Sequence, residues 1–455
     1  MCNSDCALVI KMWTVVFPGN LYKDLHKFLF NTAPYENGCF LLANSYKTKN
    51  NCVILVTDVI KPNKDSWNHS GEHSLEPSSS FINQCVISAD AKNSSLIFVH
   101  THPNSLHPSG FSWIDEKSNA RIFANLSQIL TDRPLGSLVF SRKGICGVAF
   151  NDGEIYSVSK IKIVGNSLSE FPGVGFAKSS DIVEAKFDRQ IRAFGKHNQK
   201  KLQEMTITIV GIGGTGSLVA VQLAKMGVKK IRLVDMDVID KTNVPRVYGS
   251  KESDVGKPKV DVLKKYIKSF SKSSVDSIVA DITDQKVLPH LIDSDVIFAC
   301  TDNLTSRSTL NDISTKYFIP LIDVGCRIHL NENGSISQAI AKVQVVTPDT
   351  ACLWCTGTLD GKIILQESLS DKEKKKLAKE GYYEEIEKQP SIISITTMAA
   401  SMAVNKLLNL LGVFGEDYNS RTQIEVKDGF MIDDKPEIKN NCVCQKNRGK
   451  ASFKN

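Results

Sequence analysis

Short apolar runs rich in β-branched residues alternate with amphipathic stretches through the first third of the chain. Runs of this length and composition are typical of strands, and apolar positions spaced by three or four residues are typical of helices. The runs that predict strands lie at 52–60, 95–100, 138–140 and 155–164, and the stretches that predict helices at 21–30 and 116–128. This order predicts an α/β domain with a central sheet over residues 1–165.

The pattern changes near residue 165. Residues 165–180 are rich in Ser, Gly and Pro and have little periodicity, so we expect a linker, which we place at 166–182. A helix is expected after it, and the apolar run 206–210 predicts a buried parallel strand, followed by alternating strand and helix signals. A second α/β domain is therefore predicted at 183–445, with a basic tail at 446–455.

Composition narrows the classes of protein that the chain can represent. Its 455 residues exceed what one core usually serves, and 42% apolar with 23% charged residues is ordinary for a globular protein. The net charge of +7 is modest, and the lysine runs at 372–379 and 446–454 lack interleaved aromatic residues, which argues against nucleic-acid binding. The sequence shows no membrane-length apolar run and no signal-peptide pattern, so we expect a cytoplasmic protein with no membrane partner.

Twelve cysteines without a short disulfide framework favour a reducing compartment. Cys352 and Cys355 form a C-x-x-C pair, and Cys442 and Cys444 form a C-x-C pair. Four thiolates from two such pairs can hold a tetrahedral structural Zn²⁺. The alternative is two unrelated pairs of reduced thiols.

A first group of polar residues has the composition of a catalytic zinc site. His100 and His102 would share one side of a strand end, and Asp115 would add a carboxylate ligand from the next helix, leaving a position open for water. Glu36 would take a proton from that water, and Ser112 would donate to the developing oxyanion. The alternative is a surface histidine pair and an ordinary helix N-cap.

Together these residues resemble the JAMM (JAB/MPN+) metalloprotease family, whose pattern is a glutamate followed by H-x-H, a short spacer and S-x-x-D. The resemblance covers about residues 10 to 165. It implies an α/β metalloprotease domain with a catalytic Zn²⁺ that cleaves peptide or isopeptide bonds after the C-terminus of a ubiquitin-like protein. His107 lies outside the pattern and is expected in a loop.

A second group of residues begins with glycines between the predicted strand 206–210 and a helix. Such glycines let backbone amides and the helix N-terminus approach a phosphate. They are Gly211, Gly213, Gly214 and Gly216. Asp235, at the end of the next strand, would hold a ribose. A dehydrogenase would also explain these features.

The residues that follow resemble the ThiF/MoeB and ubiquitin-activating family, whose order of motifs is a glycine loop, D-x-D, N-x-x-R, G-x-P-K and D-N. The matching positions here are Asp235, Asp237, Asn243, Arg246, Lys259 and Asp302, and Arg189 matches the family's R-Q helix. The match spans about residues 183 to 445, including the cysteine pairs. It implies a Rossmann-like adenylation domain that uses ATP and Mg²⁺.

Attack of a carboxylate on the α-phosphate of ATP expels pyrophosphate, so cations must absorb the charge. Arg246 and Lys259 are the expected cations, Asp302 would hold Mg²⁺, Asp235 would bind the ribose, and Asn243 would help to position phosphate.

Two features of the second domain bear on its partners and its chemistry. By resemblance Arg189 acts on the nucleotide of a partner subunit, which implies a homodimer. Asp237 is either a site residue or a turn residue at the end of its strand. The loop 381–390, where ubiquitin-activating proteins usually carry a nucleophilic cysteine, has none, and Cys326, expected at the end of a strand, is the alternative nucleophile or a core thiol.

The two resemblances together predict a bifunctional enzyme of a bacterial ubiquitin-like pathway, by analogy in an antiviral conjugation operon. One domain would process or remove a ubiquitin-like or sulfur-carrier protein, and the other would adenylate its C-terminal glycine, with an E2-like conjugating protein as a further partner. The alternatives are adenylation for sulfur transfer in cofactor biosynthesis, a peptide-modifying enzyme without a ubiquitin-like partner, and a binding module with one inactive domain.

Overall fold

A computed structural model of the protein describes residues 12–106, 110–173, 184–379, 390–415 and 418–452. The chain divides into two compact units. The first comprises residues 1–180 with 316–318 and 448–455, and the second comprises residues 181–315 and 319–447. His107 and the loop 381–389 lie outside the described residues.

The first unit is built on an eight-stranded mixed sheet with strand order β1-β3-β2-β6-β7-β8-β9-β10. The strands of this unit, including two outside the sheet, are β1 (Met12–Pro18), β2 (Gly38–Lys47), β3 (Asn51–Ile60), β4 (Trp67–Ser70), β5 (Leu75–Pro77), β6 (Ser95–Thr101), β7 (Leu135–Ser141), β8 (Gly144–Asn151), β9 (Glu154–Val164) and β10 (Leu168–Pro172). The helices described in this unit are α1 (Gly19–Leu29), α2 (Ser79–Ala91) and α3 (Trp113–Leu126). β1 also pairs in parallel with β9, so the sheet closes on itself, and β4 and β5 form a separate hairpin.

Strand β2 shows how the sheet separates two layers of core. Successive strand residues point to opposite faces. Leu41 packs in the cluster that contains Leu25 of α1, whereas its neighbour Phe40 packs in the cluster that contains Phe81 of α2 and Phe123 of α3. Both faces of β2 are therefore buried over residues 38–43, which accounts for the continuous apolar run in that part of the strand.

The second unit contains another eight-stranded sheet, with strand order β13-β12-β11-β14-β15-β16-β17-β18. The strands are β11 (Thr206–Val210), β12 (Lys230–Val234), β13 (Ser274–Ile278), β14 (Val296–Ala299), β15 (Leu321–Leu330), β16 (Ile336–Val346), β17 (Arg421–Glu425) and β18 (Phe430–Asp434). Neighbouring strands in the part β13-β12-β11-β14-β15 pair in parallel, and those in the part β15-β16-β17-β18 pair antiparallel. The parallel part is the Rossmann-like half of the sheet.

Nine helices of the second unit fall within the described part of the chain. They are α4 (Asp188–Glu204), α5 (Gly214–Met226), α6 (Lys259–Lys268), α7 (Leu288–Leu291), α8 (Leu304–Tyr317), α9 (Gly361–Ser368), α10 (Asp371–Lys379), α11 (Ile393–Leu410) and α12 (Val443–Asn447). Gly195 interrupts α4 with a positive φ of 82°. Because the carboxyl ends of parallel strands meet at one edge, the loops after β11, β12 and β14 lie together.

Two sequence expectations differ from the structure. Residues 168–172, which we assigned to the linker, form β10 antiparallel to β9, and Glu170 on β10 pairs with Lys160 and Lys162 on β9 at 3.0 and 3.6 Å. Cys326, expected at a strand end, lies within β15, because this strand continues through its antiparallel pairing with β16.

Candidate functional site

Two histidines lie at the carboxyl end of strand β6 in the first sheet. His100 lies within the strand and pairs with Gly38 on β2 and Val139 on β7. His102 follows the strand, and its backbone N–H donates to Phe140 at 2.8 Å. The two imidazole centroids are 5.2 Å apart, as alternation along an extended chain predicts.

The first turn of α3 brings a carboxylate to these histidines. Asp115 Oδ1 lies 3.0 Å from His100 Nε2, and Asp115 Oδ2 lies 3.4 Å from His102 Nε2. Burial alone would raise the pKa of Asp115, but the His100 and His102 imidazoles beside it hold that pKa well below its usual range. Asp115 is therefore ionised at neutral pH.

The capping box of α3 sets the position of Asp115. Ser112 is the N-cap, and its backbone N–H and its hydroxyl both donate to Asp115 Oδ2 at 2.7 Å. We expected the Ser112 hydroxyl to donate to an oxyanion, but here its proton is used to hold Asp115. The contacts that cap the helix therefore also hold the carboxylate of the candidate metal site.

Glu36 is 5% exposed and faces the same histidines. Its Oε1 lies 3.8 Å from His102 Nε2. Burial raises the pKa of Glu36, and this effect is partly offset by His100 and His102. A carboxyl group with a raised pKa is suited to accept a proton and release it again.

The β4–β5 hairpin holds Glu36 in place, because the Glu36 backbone N–H donates to Gly71 at 2.8 Å. The turn of this hairpin also carries His73, whose charge would lower the pKa of Glu36. No sequence pattern pointed to His73, since this residue belongs to neither motif.

The donor atoms of His100, His102 and Asp115 can hold one metal ion, since they lie within 4.8 Å of one another. Neither ring nitrogen of the buried His100 has an aligned hydrogen-bond partner, even though Nε2 is close to Asp115. Two imidazoles and one carboxylate are a ligand set that Zn²⁺ accepts while keeping a position open. The residues present fit a catalytic zinc ion.

In the second unit, the glycine loop lies between β11 and α5. Gly211 has φ +88°, and a Cβ there would lie 2.6 Å from the Cys300 carbonyl oxygen. A Cβ at Gly216 would lie 1.9 Å from the Gly211 carbonyl oxygen, so neither position admits a side chain. Gly213 is the N-cap of α5, and Gly214 is its first residue. The helix N-terminus is thus accessible to a phosphate.

Asp235 follows β12 and supports the glycine loop. Its Oδ2 accepts from the Ile212 backbone N–H at 2.5 Å, and its Oδ1 accepts from the Asp237 N–H at 2.8 Å. Burial raises the pKa of Asp235, although these two amides oppose the shift. Asp237 in turn accepts from Lys259 Nζ at 2.7 Å. The two predicted acidic residues and the predicted lysine therefore form one connected group.

The N-x-x-R segment packs on the glycine loop. Asn243 is buried, and its carbonyl accepts from the Arg246 backbone N–H at 2.9 Å. A Cβ built on Gly214 would lie 3.6 Å from the Arg246 Cβ. Arg246 is thereby placed at the N-terminus of α5.

Asp302 is exposed just after β14, close to the segment that touches Gly211. Sequence reasoning missed its neighbour Arg307, whose Nε donates to the fully buried Asp323 at 2.7 Å. Arg189 lies exposed in the first turn of α4.

The two cysteine pairs converge on one site in the second unit. Cys352 Sγ lies 3.7 Å from Cys355 Sγ and 3.6 Å from Cys442 Sγ, and Cys355 Sγ lies 3.7 Å from Cys444 Sγ. All four thiols are buried and free of disulfides. Hydrogen bonding from Cys352 lowers the pKa of Cys444. This four-cysteine site, with donors within 4.8 Å of one another, suits a tetrahedral metal.

Cys326 does not have the environment of an activated nucleophile. Burial raises its pKa to about 11, and its Sγ lies 3.8 Å from the Ile395 carbonyl. A reactive cysteine needs a lowered pKa. The core-thiol interpretation therefore fits Cys326 better.

Comparison with protein families gives a match to the ThiF family model over residues 187–445, more than half of the chain. The chain belongs to the ThiF family. The matched segment contains the glycine loop, Asp235, Asp302 and all four cysteines, and it carries the mixed α/β fold of the family. Residues 12–173, with the histidine cluster, lie outside this match.

Several curated proteins are similar to part of the ThiF segment. The SAMP-activating enzyme E1 of Haloferax volcanii is 28% identical over 162 residues, which cover 35% of this chain and 56% of that protein. The sulfur carrier protein ThiS adenylyltransferase of Bacillus subtilis is 29% identical and covers 35% and 46%, and the molybdopterin-synthase adenylyltransferase of Escherichia coli is 30% identical and covers 32% and 60%. The chain spans about half the length of these relatives.

Among solved structures, E. coli MccB with ATP is 23% identical, with a TM-score of 0.45, and covers 58% of this chain and 74% of that one. Of the described helices in this chain, none combines the length and the hydrophobicity required to cross a membrane.

Proposed function

We propose that the second unit, in a domain spanning 183–445, catalyses ATP- and Mg²⁺-dependent adenylation of the C-terminal glycine of a ubiquitin-like or sulfur-carrier protein. The observation that carries this proposal is the convergence of the glycine loop, Asp235 and Lys259 at the carboxyl edge of the parallel strands. The names of the similar adenylyltransferases and of the activating enzyme support the same reaction.

Each residue of this site has a distinct role in the proposed reaction. Asp235 binds the ribose hydroxyls, and the amides at the start of α5 bind phosphate. The substrate carboxylate forms a new bond to the α-phosphorus, while the bond to the β-phosphate oxygen breaks and pyrophosphate leaves. Arg246 and Lys259 neutralise the departing charge.

Three further residues complete the proposed site. Asp302 would hold Mg²⁺, which offsets the charge of the phosphates when bound. The buried Asn243, whose carbonyl accepts from the Arg246 backbone N–H, positions the phosphate-binding segment. Arg189 would reach the nucleotide of a second copy, so the working unit would be a homodimer.

ATP–pyrophosphate exchange tests the adenylation directly, with a panel of purified ubiquitin-like and sulfur-carrier proteins that end in glycine as substrates. Asp302→Asn should abolish the exchange, whereas Asp284→Asn, which changes an exposed carboxylate that caps a short 3₁₀ helix, should not. Exchange with no panel member, or exchange that survives Asp302→Asn, would overturn the proposal.

We further propose that the first unit, in a domain spanning 1–165, is a zinc-dependent peptidase that trims or removes the same small protein. His100, His102 and Asp115 would hold Zn²⁺, which acidifies a water molecule and polarises the scissile carbonyl when bound. Glu36 takes a proton from the water and returns it to the leaving amine. The observation that favours this function is the burial of Glu36 beside His102.

Processing by one unit and activation by the other would act on one C-terminus. An E2-like partner that accepts the activated protein would indicate conjugation, and release of a thiocarboxylate would indicate sulfur transfer for cofactor biosynthesis. The four-cysteine site would hold a structural Zn²⁺ that stabilises the second unit. Mass spectrometry of the product formed with ATP and each candidate partner separates these outcomes.

A further inference from the structure

Helix α9 is held in the second unit in an unusual way. None of its eight residues is fully buried, and Leu365 on this helix is 64% exposed. Helices of this length usually depend on an apolar face packed against a core. Its Glu367 instead makes a polar contact with the helix that follows Asp302.

The Glu367 carboxylate lies against the first turn of α8. Its Oε1 accepts from the Leu304 backbone N–H at 3.0 Å. Its Oε2 accepts from both the Thr305 backbone N–H and the Thr305 hydroxyl, each at 2.7 Å. Three donors from two adjacent residues therefore converge on one side chain.

The contact satisfies groups that a helix leaves unpaired. The first backbone N–H groups of a helix have no partner within it, and a carboxylate there also interacts favourably with the positive end of the helix dipole. Asn303 Oδ1 accepts the Ser306 N–H at 2.7 Å. Asn303 and Glu367 thus hold the first turn of α8 from two sides.

Asp302 directly precedes Asn303, which caps this turn, and Asp302 is itself exposed. The two caps consequently position the backbone at Asp302. One turn further on, Arg307 adds to this support through its pair with Asp323. A metal-binding carboxylate gains affinity when it is held in position before binding, because less ordering remains to be done.

We propose that Glu367 is a positioning residue for adenylation, which holds the first turn of α8 so that Asp302 is placed to receive Mg²⁺ with ATP. This inference rests on the proposed adenylation function. It gives α9, which follows the C-x-x-C pair, a role at the nucleotide site without contact to the nucleotide.

The test compares Glu367→Gln with wild type by calorimetric titration of α,β-methylene-ATP, with Mg²⁺ and with EDTA. The amide keeps one acceptor and loses the other, so affinity in Mg²⁺ should fall about tenfold. Affinity in EDTA should stay unchanged, which also shows that the site is folded. The matched control is Glu373→Gln on α10, where the carboxylate accepts from the Ser370 backbone and hydroxyl at 2.8 and 2.6 Å and should have no effect on either affinity.

Variants of Thr305 provide a second, milder perturbation of the same contact. Thr305→Val removes the hydroxyl donor and should weaken Mg²⁺-dependent binding about threefold, while Thr305→Ser keeps the donor and should bind as wild type does. Hydrogen exchange should show faster exchange of the amides of Leu304 and Thr305 in Glu367→Gln.

The outcomes separate this inference from the function on which it rests. Wild-type affinity of Glu367→Gln in Mg²⁺ would overturn the positioning role and leave adenylation standing. An equal loss of affinity in Mg²⁺ and in EDTA would reduce Glu367 to a general structural role and also overturn it. Failure of the wild-type protein to bind the analogue under either condition would contradict the proposed adenylation itself.

Discussion

The Oδ1 atom of Asp115 lies 3.0 Å from Nε2 of His100, although Asp115 lies in the first turn of a helix and His100 lies near the end of a buried strand. The capping box with Ser112 fixes the carboxylate, and the pairing of β6 between β2 and β7 fixes the imidazole. A helix cap and a sheet register therefore produce the ligand set of one candidate metal site.

Asp115→Asn should lower the zinc content of the purified protein from about two ions per chain to about one, because the first unit loses its carboxylate ligand. Elemental analysis by mass spectrometry measures this ratio. The control is Asp90→Asn, which changes an exposed carboxylate paired with Arg133 at 2.9 Å. A zinc content that Asp115→Asn leaves unchanged would place the metal elsewhere.

Glu36→Gln should reduce cleavage about 10²- to 10⁴-fold, since the site loses its proton acceptor, while the zinc content stays unchanged. The measurement uses a ubiquitin-like protein that ends in Gly-Gly, fused through that end to a fluorescent reporter. Glu76→Gln, on the hairpin that supports Glu36, is the control and should cleave normally. Loss of zinc from Glu36→Gln would show that Glu36 is a ligand.

Lys259→Gln should reduce ATP–pyrophosphate exchange about 100-fold, because the departing phosphates lose a cation in a site where the lysine side chain is only 11% exposed. Lys257→Gln is the matched control two residues away, since Lys257 is 55% exposed and pairs with Asp254. Equal effects of the two variants would indicate that only the general charge of the segment matters.

Cys442→Ser should destabilise the second unit by about 3 kcal/mol, because the tetrahedral metal site loses a thiolate. Differential scanning calorimetry should show a melting temperature lower by about 10 °C. Cys326→Ser, which changes a half-buried thiol outside the cluster, should shift it much less. If zinc chelation leaves the melting temperature unchanged, the cluster is not a structural metal site.

Arg189→Ala and Asp302→Asn should each inactivate adenylation, yet their co-expression should restore about a quarter of wild-type exchange activity. This follows if Arg189 completes the site of a second copy, because a mixed dimer then holds one complete site. No recovery in isolated mixed dimers, or full wild-type activity in a dilute monomer, would contradict action between subunits.

Local sequence patterns predicted individual elements well in both units. The runs at 52–60 and 206–210 coincide with β3 and β11 to within one residue, because their apolar content is continuous and turn residues bound them. The sequence pattern did not predict the hairpin of β4 and β5, because its strands are short and most of their residues are exposed.

The sequence by itself determined which residue types are available and in what order: two histidines with a helix-capping aspartate, a glycine loop with two acidic strand ends, and two cysteine pairs. Only the tertiary structure decided which of them meet. Three contacts join segments that are distant in the chain: that of Cys352 with Cys442, which are 90 positions apart, the parallel pairing of β1 with β9, and that of Glu367 with Thr305. Local propensity carries no information about such contacts, because they form only when the separate elements pack around a shared core.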